Sequence, residues 1–156
     1  MWIYFRSKIW FINREAMNKI VIEKTDRTPE LIIDAENGCF SIQYDSRPED
    51  VRKFYYPILE KLKSILEGIK QTGNLSYFNE KPFVFDFKMG YFNSSSAKFI
   101  LDILNIVKAF NESGIKVEVN WYYFEDEDDM KEAGEDFSDF CEVEFNYFTM
   151  EDDDDE

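Results

Sequence analysis

Three consecutive serines at positions 94–96, preceded by Asn93, are the residues of this chain whose type and spacing best suit regulatory chemistry. A serine hydroxyl can accept a phosphoryl group. In the first turn of a helix it also lies beside unpaired backbone N–H groups and the positive end of the helix dipole. A phosphate of about −2 charge is tolerated there by the protein itself, but it disrupts an apolar partner surface docked over the same spot. The run therefore predicts a phosphorylation site that switches binding without unfolding the domain.

The same four residues also fit a purely structural role. Asn is a preferred N-cap residue, because its side chain satisfies a free backbone N–H of the first turn. Serines in that turn then need no function beyond starting the helix. Spacing alone favours this second interpretation, and both stay open at this point.

The composition argues against an enzyme. The chain contains no histidine, which removes the commonest general base, the commonest metal ligand and the ordinary catalytic triads. Cys39 and Cys141 fit no CxxC or zinc spacing, and two isolated cysteines are typical of a reducing compartment. The acidic run at 125–129 lacks the DxDxDG pattern of a calcium-binding EF-hand loop. We therefore predict a cytoplasmic, non-enzymatic protein without catalytic residues, metal or cofactor.

The net charge of −15 is concentrated in two segments. Residues 125–129 and 151–156 supply eleven of the 33 acids, which leaves 22 acids against 18 bases, or −4, for the rest of the chain. Nucleic acid requires a basic patch, and an anionic membrane surface repels such a protein. No apolar run approaches the roughly 20 residues of a membrane span. The charge pattern therefore favours protein partners.

The two ends of the chain differ from its body. The apolar stretches of residues 1–16 are broken by Arg6 and Lys8 and lack a small-residue cleavage site, which is untypical of a signal peptide. One hypothesis makes Met17 the initiator and residues 1–16 a non-native extension. Peptides from residues 1–16 in the natively expressed protein would reject it. Residues 149–156 are predicted to be an acidic, solvated and disordered tail.

Strands dominate the first part of the chain and a long helix follows. Short strands are predicted at 19–23, 31–34 and 39–44, with Asn37-Gly38 as the hairpin turn between the last two. The segment Ser46-Arg47-Pro48-Glu49 indicates a helix start, with Pro48 in the first turn. Gly73-Asn74 is predicted to end this helix, and residues 74–81 to form a loop. Apolar residues at helical spacing define one face of it: Val51, Phe54, Tyr55, Ile58, Leu59, Leu62, Ile65, Leu66 and Ile69.

The second half alternates strands and helices. Residues 82–88 alternate as a strand does, 89–92 form a predicted turn, and a second long helix runs from the serines to Gly114. A strand at 116–122, a short helix through Met130, Ala133, Phe137 and Phe140, and a strand at 143–148 complete the order. This order predicts a single α/β domain, with a mixed, mostly parallel sheet, an N-terminal hairpin and two long helices packed on the sheet.

Three apolar residues of the second helix allow two interpretations. Phe99, Ile106 and Phe110 cluster at helical spacing beside the residues that can face the sheet. They either complete the core beneath another element or form an exposed patch that receives a partner. If the serines act as a switch, this patch is the predicted partner-binding surface.

Several motifs together resemble one family, the SiaC-type regulatory phosphoproteins of bacteria. The resemblance runs from about Met17 to Phe148, with motifs in the family's order at compatible spacings. Arg47, where an aromatic residue is common, is a departure. The family is similar in layout to the STAS-fold antagonists of anti-sigma factors, so a STAS-like sheet is expected. The motifs are Thr28-Pro29, Ser46-Arg47-Pro48-Glu49, the segment from Tyr91 to Ser96, Leu101-Asp102-Ile103-Leu104, and the segment from Val117 to Tyr123.

The resemblance implies a partner-switching regulator. A cognate serine/threonine kinase phosphorylates the first hydroxyl residue after the Asn, a metal-dependent phosphatase removes the phosphate, and the unphosphorylated form activates an effector, best known as a diguanylate cyclase. The acceptor is then Ser94, a position where the family often has Thr, and Ser95 is the second choice. Tyr91, Asn93 and Ser96 complete the phosphosite turn. The alternative is a constitutive interaction or scaffold domain in which the serines only cap a helix.

Overall fold

The computed structural model describes residues 19–72 and 80–151, which contain six strands and three helices. The predictions for residues 1–16, for the helix end at Gly73-Asn74, for residues 74–79 of the predicted loop and for the last residues of the acidic tail lie outside this part of the chain. The strands are β1 (Ile20–Ile22), β2 (Glu30–Asp34), β3 (Cys39–Ser46), β4 (Phe83–Phe92), β5 (Val117–Phe124) and β6 (Phe145–Met150). The helices are α1 (Val51–Thr72), α2 (Ser94–Glu112) and α3 (Asp128–Cys141).

The sheet follows the order of the chain, β1-β2-β3-β4-β5-β6. The first three strands pair antiparallel, and β3 to β6 pair parallel. Each helix connects two adjacent parallel strands, and such crossovers are right-handed. Three crossovers in the same direction place all three helices on one face of the sheet, with α2 between α1 and α3. The predicted α/β domain with a mixed sheet is confirmed.

Burial along the strands alternates as this single helix layer requires. Phe83, Phe85, Phe87 and Met89 of β4 are buried toward the helices, whereas the residues between them are partly exposed. The opposite face of the sheet is polar at its centre, where Asn120 Nδ2 donates to Asp86 Oδ1 at 2.8 Å. The core therefore lies entirely between the sheet and the helix layer.

Two boundaries near the serine run differ from the prediction. Residues 89–92 are not a turn but the end of β4, because Tyr91 and Phe92 pair in parallel with Asp45 and Ser46 of β3. Ser46 is therefore the last residue of β3 and not a helix cap. The helix α1 begins at Val51, where Asp50 Oδ1 accepts a hydrogen bond from the Lys53 N–H at 3.1 Å. The Arg47 N–H donates to the Arg27 carbonyl oxygen at 2.8 Å, so this residue is still bonded to a neighbouring segment and the helix begins four residues later.

The C-terminal elements also extend further than predicted. The helix α3 begins at Asp128, so two residues of the acidic run lie in its first turn, where negative charge favours the helix dipole. The strand β6 continues to Met150, two residues into the predicted tail. Phe137 packs against Trp121 with ring centroids 5.7 Å apart, but Phe140 is 72% exposed and does not belong to the buried face.

The contact between Gly134 and Trp121 gives a test of how closely α3 packs on the sheet. A Cβ atom at Gly134 would lie 2.6 Å from two atoms of the Trp121 ring, whose Nε1 already donates to the Met130 carbonyl at 2.9 Å. Gly134→Ala is therefore expected to destabilise the protein by about 1–3 kcal/mol in urea unfolding. The higher helix propensity of Ala than of Gly would, by itself, raise the free energy of unfolding by about 1 kcal/mol. The exposed neighbour Glu135→Ala is the control, within about 0.5 kcal/mol of wild type. A Gly134→Ala protein as stable as wild type would contradict this close packing of α3 against Trp121.

Candidate functional site

The serine run lies where β4 passes directly into α2. Asn93 separates the two elements and is the N-cap of α2, with φ −80° and ψ 173°. Its side-chain Oδ1 accepts a hydrogen bond from the Ser96 N–H at 2.9 Å, as the capping interpretation predicted. The turn sits at the edge of the sheet where the parallel strands β3 and β4 end.

The three serines differ sharply in exposure. Ser94 and Ser95 are exposed, whereas Ser96 is 0% exposed. Helix geometry leaves the N–H groups of Ser94 and Ser95 without intrahelical acceptors. Of the three hydroxyls, two therefore face solvent beside free backbone donors, and the third is closed to any enzyme while the helix is folded.

Ser96 is held in place by a buried chain of hydroxyl groups. The Ser46 Oγ lies 2.9 Å from Ser96 Oγ and 2.5 Å from the Tyr55 hydroxyl. The Ser96 hydroxyl also donates to the Ser46 carbonyl oxygen at 3.2 Å. All three residues are fully buried. The chain joins the end of β3, the start of α1 and the first turn of α2.

Tyr55 also contacts α2 through its ring. The ring stacks on Phe99 at a centroid distance of 5.4 Å and an interplanar angle of 9°. Burial raises the pKa of the Tyr55 hydroxyl, and the hydrogen bond with Ser46 and the nearby Ser96 hydroxyl oppose this only in part. The hydroxyl therefore stays protonated and able to donate at neutral pH.

The backbone beside the serine turn is irregular. The β3–β4 register shifts between Gln43 and Asp45, and Tyr44 between them has a φ of 75°, which is uncommon for a residue with a side chain. A Cβ atom at Gly90 would lie 2.9 Å from Asp45 Oδ1, so any side chain at this position would require the Asp45 carboxylate to move. Tyr91 pairs with Asp45 next to this irregularity and has 49% of its surface exposed beside the turn.

The predicted exposed patch on α2 is wrong. Phe99 and Ile106 are 6% and 8% exposed, and Phe110 is fully buried against Phe83 and Phe85. The reason is the position of α2 between two other helices, which covers its flanks as well as its base. The three residues thus follow the alternative in which they complete the core.

The described part of the helix layer has a shallow groove on its outer surface. It lies between α1 and α2, has a volume of about 560 Å³, and includes Ile106 in its floor. Leu59 and Leu66 line it from α1, and Glu60 and Asp102 stand on opposite sides. The groove mixes apolar side chains with acidic ones and with the basic Lys63.

Sequence reasoning found the cap and the serines but missed Tyr55 and Ser46 as parts of the site. Tyr55 matched the apolar face of a helix, and Ser46 matched a helix start. The one signal that could have separated Ser96 from its neighbours is helical spacing, since Ser96 shares a face with the core residue Ile100. No helix in residues 19–72 or 80–151 is long and apolar enough to cross a membrane.

Comparison with known proteins gives consistent matches over the same part of the chain. The sequence profile of the SiaC family regulatory phosphoproteins matches residues 22–150. An uncharacterized protein of Pseudomonas aeruginosa (strain UCBPP-PA14) is 26% identical over 129 residues, covering 83% of this chain and 94% of that protein. The crystal structure of apo-SiaC from Pseudomonas aeruginosa superimposes with a TM-score of 0.69 at 26% identity, covering 85% of this chain and 99% of that one.

A third match comes from a complex. The crystal structure of the diguanylate cyclase SiaD with its activator SiaC, also from Pseudomonas aeruginosa, contains a chain with a TM-score of 0.70. The identity is 24%, and the alignment covers 84% of this chain and 99% of that one.

The difference in burial between Ser94 and Ser96 gives a direct stability test. An Asp side chain at position 94 faces solvent near the positive end of the α2 dipole. Ser94→Asp should therefore leave the free energy of unfolding unchanged or raise it by about 0.3–1 kcal/mol, with a melting temperature equal to or slightly above that of wild type. Ser96→Asp buries a carboxylate without a cation and breaks the hydroxyl chain, which should cost at least about 2 kcal/mol. Thermal unfolding of the two variants side by side measures the difference. Equal melting temperatures would contradict the buried placement of Ser96.

Proposed function

The chain belongs to the SiaC family of regulatory phosphoproteins, and from this premise we propose that it is a phosphorylation-controlled activator of a diguanylate cyclase. Ser94 is the phosphoacceptor, and Ser95 is the second candidate. The unphosphorylated form binds and activates the effector, and the phosphorylated form does not. A serine/threonine kinase and a metal-dependent phosphatase set the balance between them, in the cytoplasm where ATP is available.

The observation that carries this proposal is the arrangement of the three serines. Two hydroxyls point outward from a helix terminus that is already capped by Asn93, so the cap does not need them. A structural turn would be equally well capped with other residues at 94 and 95. Exposed hydroxyls at this point are consistent with a group that must enter an enzyme's active site.

The physical basis of the switch is local. The kinase transfers the γ-phosphoryl group of ATP to Ser94 Oγ, with loss of the hydroxyl proton and release of ADP, and the phosphatase returns the serine by hydrolysis to inorganic phosphate. The free N–H groups of the first turn and the helix dipole stabilise the phosphate on the folded domain. A partner surface closed over Ser94 and Tyr91 would have to strip water from a dianion, and this cost opposes binding.

The effector class rests on the relatives. The SiaC of Pseudomonas aeruginosa is the activator of the diguanylate cyclase SiaD. This chain matches nearly the whole length of that protein with the same fold. A diguanylate cyclase is therefore the effector to test first.

The first prediction concerns the phosphorylated position. Incubation with ATP and the serine/threonine kinase encoded nearest the gene should place phosphate on Ser94, as mapped by tandem mass spectrometry. Ser94→Ala should remove most of the incorporation, whereas Ser96→Ala should not, because Ser96 is closed to the kinase. Phosphate on Ser95 alone would move the acceptor by one residue. No incorporation with a kinase that is active on a control substrate would overturn the switch.

The second prediction concerns binding. Ser94→Asp should weaken the affinity for the diguanylate cyclase encoded in the same gene neighbourhood by at least about tenfold, whereas Ser94→Ala should stay within about twofold of wild type. Titration calorimetry measures the affinities, and cyclase turnover measures activation. Exposed Lys98→Ala, one turn further along α2, is the control for a general change at this helix end. Equal binding by the Asp and Ala variants would favour the constitutive scaffold, in which Asn93 and the serines only begin a helix.

A further inference from the structure

The hydrogen bonds around Ser96 can be assigned a direction from proton counting alone. The Ser96 hydroxyl donates its one proton to the Ser46 carbonyl oxygen. Ser46 Oγ donates its own proton to Ser96 Oγ. The remaining contact, between Ser46 Oγ and the Tyr55 hydroxyl, therefore has Tyr55 as the donor. The chain runs in one direction, from Tyr55 through Ser46 to Ser96, and it ends on the backbone of β3.

This chain of hydrogen bonds helps to hold the rotation of the first turn of α2 about its axis, together with the buried side chains of Phe99 and Ile100 in the next turn. Successive helical residues are about 100° apart around the axis. Holding Ser96 inward therefore sets the directions of Ser95 and Ser94 relative to the sheet. The cap bond from Asn93 fixes the same turn along the axis but does not by itself hold the Ser96 side chain inward.

Tyr55 is the member of this series of hydrogen-bonded hydroxyl groups that belongs to α1. Its hydroxyl acts through Ser46, and its ring packs flat on Phe99, one turn beyond Ser96. A phenylalanine would fill the same space and keep the ring contact. The hydroxyl is therefore the separable part of the interaction, and its removal leaves Ser46 Oγ short of one donor in a fully buried site.

We propose that Tyr55 is a positioning residue of the phosphorylation site, and that its hydroxyl, acting through Ser46, directs Ser94 and Ser95 outward and keeps Ser96 from being phosphorylated. The proposal rests on the function proposed above. It adds that the choice among three adjacent serines is made inside the protein, by a residue of α1, and not only by the kinase.

The test is Tyr55→Phe, assayed with the kinase that phosphorylates the wild-type protein. The KM for the protein substrate should rise about three- to tenfold with kcat changed by less than about twofold, because the acceptor turn is presented in more than one orientation. Site mapping should show a changed ratio of phosphate on Ser94 and Ser95 and new phosphate on Ser96. Ser46→Ala removes the middle of the chain without touching the ring contact, so it should give the same shift.

Tyr122→Phe is the matched control, because it removes a tyrosine hydroxyl from the sheet face opposite the helices, where the Tyr122 ring contacts Lys88. It should match wild type in KM and in site distribution. The proposal would be overturned if Tyr55→Phe and Ser46→Ala both kept the wild-type KM and the wild-type ratio of phosphorylated sites. In that case the hydrogen bond would be only structural, even if both variants melted at a lower temperature. If wild type itself takes no phosphate at positions 94 and 95, the proposed function fails instead, so the two failures are distinct.

Discussion

The carbonyl oxygen of Ser46 is the point on which the serine turn depends. It accepts two hydrogen bonds, from the Asn93 N–H at 3.1 Å and from the Ser96 hydroxyl at 3.2 Å, so both of its lone pairs are used. Ser46 ends β3 and pairs with Phe92 at the end of β4. The start of α2 is thereby fixed to two strands at once. Because the Ser46 side chain also reaches α1, the sheet and both long helices meet at this one residue.

This arrangement separates the rigid part of the site from the variable part. The buried side of the turn is fully hydrogen-bonded, and among the described residues no buried side-chain polar atom lacks a partner. The exposed side carries Ser94, Ser95 and Tyr91. A charge added on the exposed side therefore meets a scaffold that need not rearrange, which suits a switch that changes what the surface can bind and leaves the fold intact.

The charge of the surroundings limits how such a switch can act. The acidic residues that follow β5 lie at the same edge of the sheet as Asn93, because parallel strands end together. These acids favour the approach of a positively charged partner surface from a distance. For that partner an added phosphate increases the long-range attraction, which salt screens beyond about 8 Å. Under the proposed mechanism, exclusion must therefore operate at contact, through the cost of removing water from the phosphate.

The sequence predicted the fold and the cap because both depend on local patterns. Alternation in Phe83, Phe85 and Phe87 defines a strand, and Asn before three serines defines a helix start. It could not predict that Phe99 is buried, since that depends on α1 packing Tyr55 against this side of α2. It also could not show the link from Ser46 to Tyr55, because two hydroxyls become partners only when the chain brings a strand end and a helix together. The choice of Ser94 as acceptor stays a prediction.

The edge strand β6 has a consequence for the solution behaviour of the molecule. Its six residues, Phe145–Met150, include three aromatic side chains and no charge, and only one side of the strand is paired, with β5. A strand of this composition is a template for edge-to-edge aggregation. Glu144 immediately before it and the acidic residues from Glu151 onward place negative charge at both ends. These acids are gatekeepers that keep one copy of the sheet from extending into the next.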